Sequence, residues 1–596
     1  MPHYQAPLRD QMFVMHEVLN VGAVYADIPK YAGLDADTLN QVVDAAGKFC
    51  GEVLFPLNRS GDEQGCHFDA ATNTVRTPKG FRTAWEEYCA GGWPALGADP
   101  EFGGQGLPLL VQNALYEMLY STNQAWAMYP GLTTGAYECL HAHGTPAQKN
   151  DYLPKLVSGE WMGTMCLTEA HCGTDLGLIR TRAEPQEDGS YRLTGNKIFI
   201  SSGEHDMTTN IVHLVLAKLP GAPAGTKGIS LFLVPKFLLD SEAQTGERNR
   251  VLCTGIEHKM GIHANSTCQI SLDGATGYLV SEPNKGLNAM FVMMNGARLG
   301  VGMQGLGLNE VAYQNAAIYA RERLQGRSLK GVVAADKPAD PIIVHPDVRR
   351  MLLTARAYAE GGRMMGYWVA LELDKSLTHP DPVVRKESGE MVALMTPIVK
   401  AFMTDNGFQS ASLAMQVYGG HGYIRESGVE QYVRDARINM IYEGTNAIQA
   451  LDLLGRKVLR DNGAVLRRFG EQVAAFVDEH DTDPAMKEFI SPLVDLGDKV
   501  TKLSMEIGMK AFGNPDEVGA AAVDYLRVLG HLVYAYFWAR AARVALDHAA
   551  DNDPFYQAKL ATARFYFARL LPETAFHITA ARSGVDVLTS MDAALF

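Results

Sequence analysis

In Ile441-Tyr442-Glu443-Gly444-Thr445-Asn446 one carboxylate stands between an aromatic ring and a glycine. Arg434-Asp435-Ala436-Arg437 precedes it, and an apolar-periodic segment from Ala447 to Leu459 follows. Gly costs about 1 kcal/mol against Ala inside a helix. The Glu-Gly pair therefore predicts a break, with Glu443 on a bend between two helices and aimed into a cavity. Loops placed by rigid helices are where catalytic groups concentrate. The plain alternative is a solvated cap, and the rest of the chain decides between the two.

Upstream of that stretch the pattern is helical back to about residue 286. Leu287 to Arg323 is Ala-, Met- and Gly-rich and long, a polar loop runs from Arg327 to Pro346, and helices are expected at Val348 to Leu373 and Lys386 to Tyr418. From about 164 to 285 the period becomes alternating. Tyr191 to Thr194, Gly195-Asn196 and Lys197 to Ile200 have the form of a two-residue β-hairpin. Ile211 to Leu219, Ile229 to Val234 and Cys268 to Leu272 read as further strands. Before residue 164 helices are expected again, including Leu110 to Asn123 and Pro146 to Leu156. After 460, Tyr525, Val528, Leu529, Leu532, Val533 and Tyr536 mark a further helical module. The expected fold is mainly α with an inserted β-barrel or sandwich, in four segments: 1–163, 164–285, 286–460 and 461–596.

A chain of 596 residues is too long for a single core. Its 47% hydrophobic and 20% charged residues are ordinary for a globular protein. The net charge of -14 argues against a nucleic-acid partner, which calls for a basic face. None of the eight cysteines forms a Cys-x-x-Cys pair, so no metal site is expected and reduced cytoplasmic thiols are. The first residues hold no apolar run of signal-peptide length, and no stretch is apolar enough to span a membrane.

Gly300-Val301-Gly302-Met303-Gln304-Gly305 matches the dinucleotide fingerprint by letter, but that motif needs a preceding strand and both flanks here are helical. Glycines so spaced let two helices approach instead. Met165-Cys166-Leu167-Thr168-Glu169 runs into the polar loop Ala170-His171-Cys172-Gly173-Thr174-Asp175, whose hydroxyls and bare Gly N–H suit a ring edge and a phosphate; a capped turn is the alternative. Phe199 and Ser201 alternate on one predicted strand and would share a face. Gln416 precedes Gly419-Gly420 at a helix end, which is also what a simple C-cap looks like.

In this order the pieces resemble the acyl-CoA dehydrogenase family. They are the Leu167-Thr168-Glu169 loop with Gly173-Thr174-Asp175, Lys197 to Ser201, Lys259-Met260-Gly261, the segment ending at Arg323, Gln416 with Gly419-Gly420, and Ile441 to Thr445. The resemblance covers roughly residues 40 to 460. The helical tail beyond looks like a long bacterial branch that includes methylthiopropanoyl-CoA dehydrogenases. It implies FAD as cofactor. Met165, Leu167, Thr168, Gly173 and Thr174 would line the flavin and its pyrophosphate. Phe199 would stand in for a Trp usual in relatives, and Ser201 for a Thr. Arg323 and Gln325 would reach the FAD of a neighbouring subunit, as would Gln416, Gly419 and Gly420, which implies a homodimer. Thr445 and Asn446 would contact FAD near the base, and Thr174, Arg298, Tyr442 and Gly444 would meet the acyl-CoA.

Two departures concern local contacts: His171-Cys172 replaces a common Gly-Ala, and Ala447 replaces a polar residue. Some relatives place the catalytic Glu just before the Arg that matches Arg298. Here those positions are Gly296 and Ala297, which leaves Glu443 as the implied base. The implied reaction is α,β-dehydrogenation of an acyl-CoA to the trans-2-enoyl-CoA in fatty-acid β-oxidation, with electrons passed to electron-transfer flavoprotein. A free carboxylate, with a pKa of about 4.3, is a poor base for an α-proton, so burial beside the acyl chain is expected to strengthen it. The alternatives are a methylthiopropanoyl-CoA dehydrogenase, an acyl-CoA oxidase, or a flavin-containing DNA-binding relative, which would need a basic C-terminal surface.

Overall fold

The computed structural model describes residues 2–596. By internal contacts it forms two compact units, residues 48–107 with 122–300, and residues 2–47 with 108–121 and 301–596.

The first unit is built on a β-barrel. Helix α1 (Leu109–His143) precedes it in sequence and belongs to this unit from Thr122 onward. This span is two helices joined at a kink, and the expected helix over Leu110 to Asn123 ends at that kink. Asn123 leaves helical geometry (φ -162°, ψ 85°), and its side chain accepts from the Trp126 N–H at 3.1 Å, which caps the second half and lets the chain continue. The seven strands are β1 (Trp161–Cys166), β2 (Arg182–Pro185), β3 (Tyr191–Ser201), β4 (Asn210–Lys218), β5 (Ile229–Pro235), β6 (Val251–Ile256) and β7 (Thr267–Val280). They run in the order β6-β7-β3-β2-β4-β1, and β5 bridges β7 and β4, which closes the barrel. β4 and β5 are buried along nearly their whole length, as strands covered on both faces must be.

The hairpin expected at Gly195-Asn196 is not there. Both residues pair with β7, opposite Leu272 and Ser271, inside one eleven-residue strand. The glycine serves a close approach instead: a Cβ on it would lie 2.5 Å from the Thr181 hydroxyl. Register slips further on, between the Ile200–Cys268 and Lys197–Ile270 pairs, a bulge that takes in Ile198 and Phe199.

The second unit is helical. It holds the rear of α2 (Gly286–Glu322), then α3 (Pro346–Thr378), α4 (Pro382–Val417), α5 (Glu430–Arg437) and the short α6 (Asn446–Leu451). The tail adds α7 (Asp516–Asp547) and α8 (Pro554–Phe565). Gly302 and Gly305 lie within α2, so the fingerprint is no nucleotide loop. Added Cβ atoms would stand 2.9 Å from the Val399 carbonyl and 2.6 Å from that of Met403, so the glycines bring α2 against α4.

A buried ion cluster ties the ends of the chain to this bundle. The Arg363 guanidinium donates to Glu117 at 2.9 Å, to Glu310 at 2.8 Å, and to Asp10 of the opening segment. Lys559 of α8 pairs with Asp10 and, at 2.7 Å, with Glu360. Among the described residues no helix is long and apolar enough to cross a membrane.

Candidate functional site

In the helical unit, α5 ends at Arg437, a short 3-10 turn follows, and Thr445 caps α6 by accepting from the Ile448 N–H at 3.4 Å. Glu443 stands between, half-buried, in the left-handed region at φ +58°, followed by Gly444 at φ +82°. A non-glycine residue there costs about 1–3 kcal/mol and persists only where its surroundings hold it.

The surroundings do so. Lys400, fully buried on α4, donates to the Gly444 carbonyl at 2.8 Å and to the Asn446 side chain at 2.7 Å. The Gln449 amide donates to the Glu443 carbonyl at 3.1 Å and that of Gly444 at 3.4 Å. The Tyr442 hydroxyl donates to Gln304 and, at 3.1 Å, to Asn439, and burial pushes its pKa well up. The Asn446 amide turns inward and donates to Asp405 at 2.6 Å; burial raises that carboxyl.

Arg323 and Gln325, beyond the end of α2, are exposed. Their backbones are fixed by pairing with Ile342 and Asp340, at 2.8 and 3.0 Å. Asp340, wholly buried, accepts the N–H groups of Ser328, Val333 and Ala334 and so folds the loop beside them. Gln416, Gly419 and Gly420 are exposed as well, with open space where either glycine would carry a side chain.

In the barrel unit the predicted flavin loop is pinned from below. Buried Lys197 donates to the Leu167 carbonyl at 3.0 Å and to Glu169 at 2.9 Å. Glu169 also accepts from the Thr181 hydroxyl at 2.6 Å and the Arg180 N–H at 2.7 Å. Burial works against its charged form, but Lys197 and these donors overcome that and hold the carboxyl at about 2. Its bonds are thus committed, although the Glu169, His171 and Cys172 ligand atoms fall within 4.8 Å of one another. The Ile198 N–H donates to the Thr168 carbonyl at 3.0 Å, so loop and strand move together.

Gly173 and Thr174 are exposed, Met165, Thr168 and Ser201 half-buried, and Leu167 buried. Phe199 sits in the bulge at φ +57° and is 59% exposed. The bulge breaks the alternation on which a shared face with Ser201 depended. Phe199 is thus an uncovered aromatic ring held on strained backbone.

Comparison with known proteins bears on both units. Family models for acyl-CoA dehydrogenases match residues 36–160 (N-terminal domain), 164–275 (middle domain) and 284–459 (C-terminal domain), and an acetyl-CoA dehydrogenase C-terminal-like model matches 469–592. A 3-methylmercaptopropionyl-CoA dehydrogenase of Ruegeria pomeroyi is 42% identical over 98% of this chain and 99% of its own. The chain belongs to the acyl-CoA dehydrogenase family. A broad-specificity linear acyl-CoA dehydrogenase of Mycobacterium tuberculosis is 35% identical over 96% of each chain. The solved structure of a Bacillus anthracis acyl-CoA dehydrogenase complexed with FAD shares the fold, with TM-score 0.75 and 20% identity over 96% of this chain and 91% of that one. The enzyme is accordingly an FAD-dependent oxidoreductase acting on acyl-CoA thioesters.

Sequence reasoning missed the residues that hold the site: Lys400, Gln449 and Gln304 around Glu443, and Lys197 and Glu169 under the flavin loop. For Lys400 a signal existed. It is a lone charge in Ile398-Val399-Lys400-Ala401-Phe402, within the largely apolar run 391–403 of its helix.

Proposed function

We propose that the enzyme removes the α-proton of a fatty acyl-CoA with Glu443 and yields the trans-2-enoyl-CoA. The observation that supports this most directly is a carboxylate on strained backbone between two helices, with its flanking carbonyls gripped by Lys400 and Gln449. Bound FAD supplies the two-electron acceptor for the β-hydrogen. The residues present fit that cofactor. Phe199 offers an uncovered ring, and the exposed Gly173-Thr174 offers backbone and hydroxyl for phosphate. Met165, Leu167, Thr168 and Ser201 complete that wall in the proposal, and Thr445 and Asn446 lie beside the base.

Arg323, Gln325, Gln416, Gly419 and Gly420 are assigned to the cofactor of a second subunit in a homodimer. Their exposure, and the open space at the two glycines, supports that role. Thr174, Arg298, Tyr442 and Gly444 are assigned to the thioester substrate. Electrons then leave to electron-transfer flavoprotein, within β-oxidation. The relatives' names make short 3-thioether chains and straight alkyl chains the first substrates to try.

Glu443→Gln tests the assignment. The variant should keep its yellow colour and acyl-CoA binding but lose about two to four decades in the rate of flavin bleaching. Bleaching at the wild-type rate removes Glu443 from the role.

A further inference from the structure

Glu138 belongs to the second half of α1, inside the barrel unit, and its carboxyl is directed at α2. One carboxylate oxygen lies 2.8 Å from where a Cβ at position 296 would stand, in the space the glycine leaves there. The two helices meet closely all along this seam. Met293 lies against Gly135, and the Cys139 thiol donates to the Ala289 carbonyl at 3.3 Å. The surroundings are apolar: Leu132, Met290, Met293 and Met294 pack in one cluster.

Among the described residues nothing donates to the Glu138 carboxyl and no cation pairs with it. It is half-buried. Burial alone pushes its pKa up to about 7. An acid kept without a partner in an apolar wall is costly, and such groups mark places where a ligand supplies the missing bond. Arg298, assigned to the substrate above, stands two residues beyond Gly296 on the same helix.

We propose that Glu138 is a specificity-determining residue of the acyl site. Its carboxyl hydrogen-bonds a heteroatom carried on the acyl chain, and so favours chains with an ether, thioether or hydroxyl over plain alkyl chains of equal length. The proposal rests on the acyl-CoA reading above. A plain alkyl chain leaves the carboxyl unsatisfied, and that penalty sets the discrimination.

The test uses the FAD-loaded enzyme and two pairs matched in heavy atoms: 3-methoxypropanoyl-CoA against pentanoyl-CoA, and 5-hydroxypentanoyl-CoA against hexanoyl-CoA. The readout is the polar-to-alkyl ratio of kcat/KM. Glu138→Leu should lower that ratio about tenfold or more in at least one pair, while Glu138→Gln, which still hydrogen-bonds, keeps most of it. Glu138→Ala gives the same readout should the leucine variant fail to hold FAD. Ratios unchanged in both pairs overturn the proposal. So does loss of bleaching with every substrate in Glu138→Gln, which would make Glu138 a base. A wild-type enzyme that bleaches with no acyl-CoA overturns the acyl-CoA reading itself, and this inference with it.

Discussion

Replacing Lys400 by methionine separates holding the proposed base from holding the fold. The methionine keeps most of the lysine's length and loses the ammonium. Two charge-assisted hydrogen bonds go with it, to the Gly444 carbonyl and the Asn446 side chain, each worth roughly 1.5–3 kcal/mol. Against this, a fully buried ammonium no longer has to be desolvated, a cost of about several kcal/mol. The two terms largely offset, so global stability should fall by no more than about 2 kcal/mol. The loop fares differently. Glu443 stays in its left-handed conformation only while something outweighs a strain of about 1–3 kcal/mol, and the Gln449 amide is then the principal grip left on its carbonyls. A base displaced by about 1 Å costs on the order of a hundredfold in rate. The assay is stopped-flow bleaching of the flavin at saturating acyl-CoA, with a thermal melt of the same preparation. Expected are a small loss of Tm and a rate lower by about one to two decades. A rate within about threefold of wild type would show that the loop holds its shape without the lysine and would refute the reasoning.

Other outcomes follow from the same bonds. The Glu169 carboxyl, held at about 2 in the folded chain, contributes stability that is fully present above its unfolded value of about 4.3. That contribution is lost as pH falls from there toward 2, amounting to roughly 3 kcal/mol. Melts monitored by flavin release between pH 5 and 3 should show this loss in the wild type, and a flatter profile in Glu169→Gln. In the ion cluster, Arg363→Met leaves Glu117 and Glu310 without their cation and Asp10 with Lys559 alone. It should cost about 3–5 kcal/mol by chemical denaturation; a change below about 1 kcal/mol would mean the cluster is not what binds the opening segment and tail to the bundle.

Element type was legible wherever one period ran unbroken. The helices of 346–378 and 382–417 and the strands of 210–218 and 229–235 declare themselves by spacing and burial. Legibility failed where tertiary contact outweighs local preference. Gly195-Asn196 has the letters of a tight turn, yet the strand passes through because Thr181 needs the room a glycine leaves. Asn123 does end a helix, as its letters suggest, but its side chain caps a second helix that begins at once. At the site, the loop letters around Glu443 and Thr168 could be read. The partners that fix them could not, because Lys400 is 44 residues from Gly444 and Lys197 is 28 from Glu169. No local pattern encodes such pairings.

Those two lysines point to a common device. Each is buried on a regular element, Lys197 on a strand and Lys400 on a helix. Each donates to a loop carbonyl, Leu167 at 3.0 Å and Gly444 at 2.8 Å, and to an acceptor side chain, Glu169 at 2.9 Å and Asn446 at 2.7 Å. Each lies close to a strained, non-glycine residue: Phe199 two positions along the strand, and Glu443 just before the gripped carbonyl. Burying a charge is an expensive way to tie down a loop when stability is all that is needed. It gains a compact donor that reaches two acceptors at once, which a single hydroxyl does not do. Phe199 and Glu443 thus each stand beside a loop gripped by a buried ammonium, and that expense is what the proposed roles of the ring and the base call for.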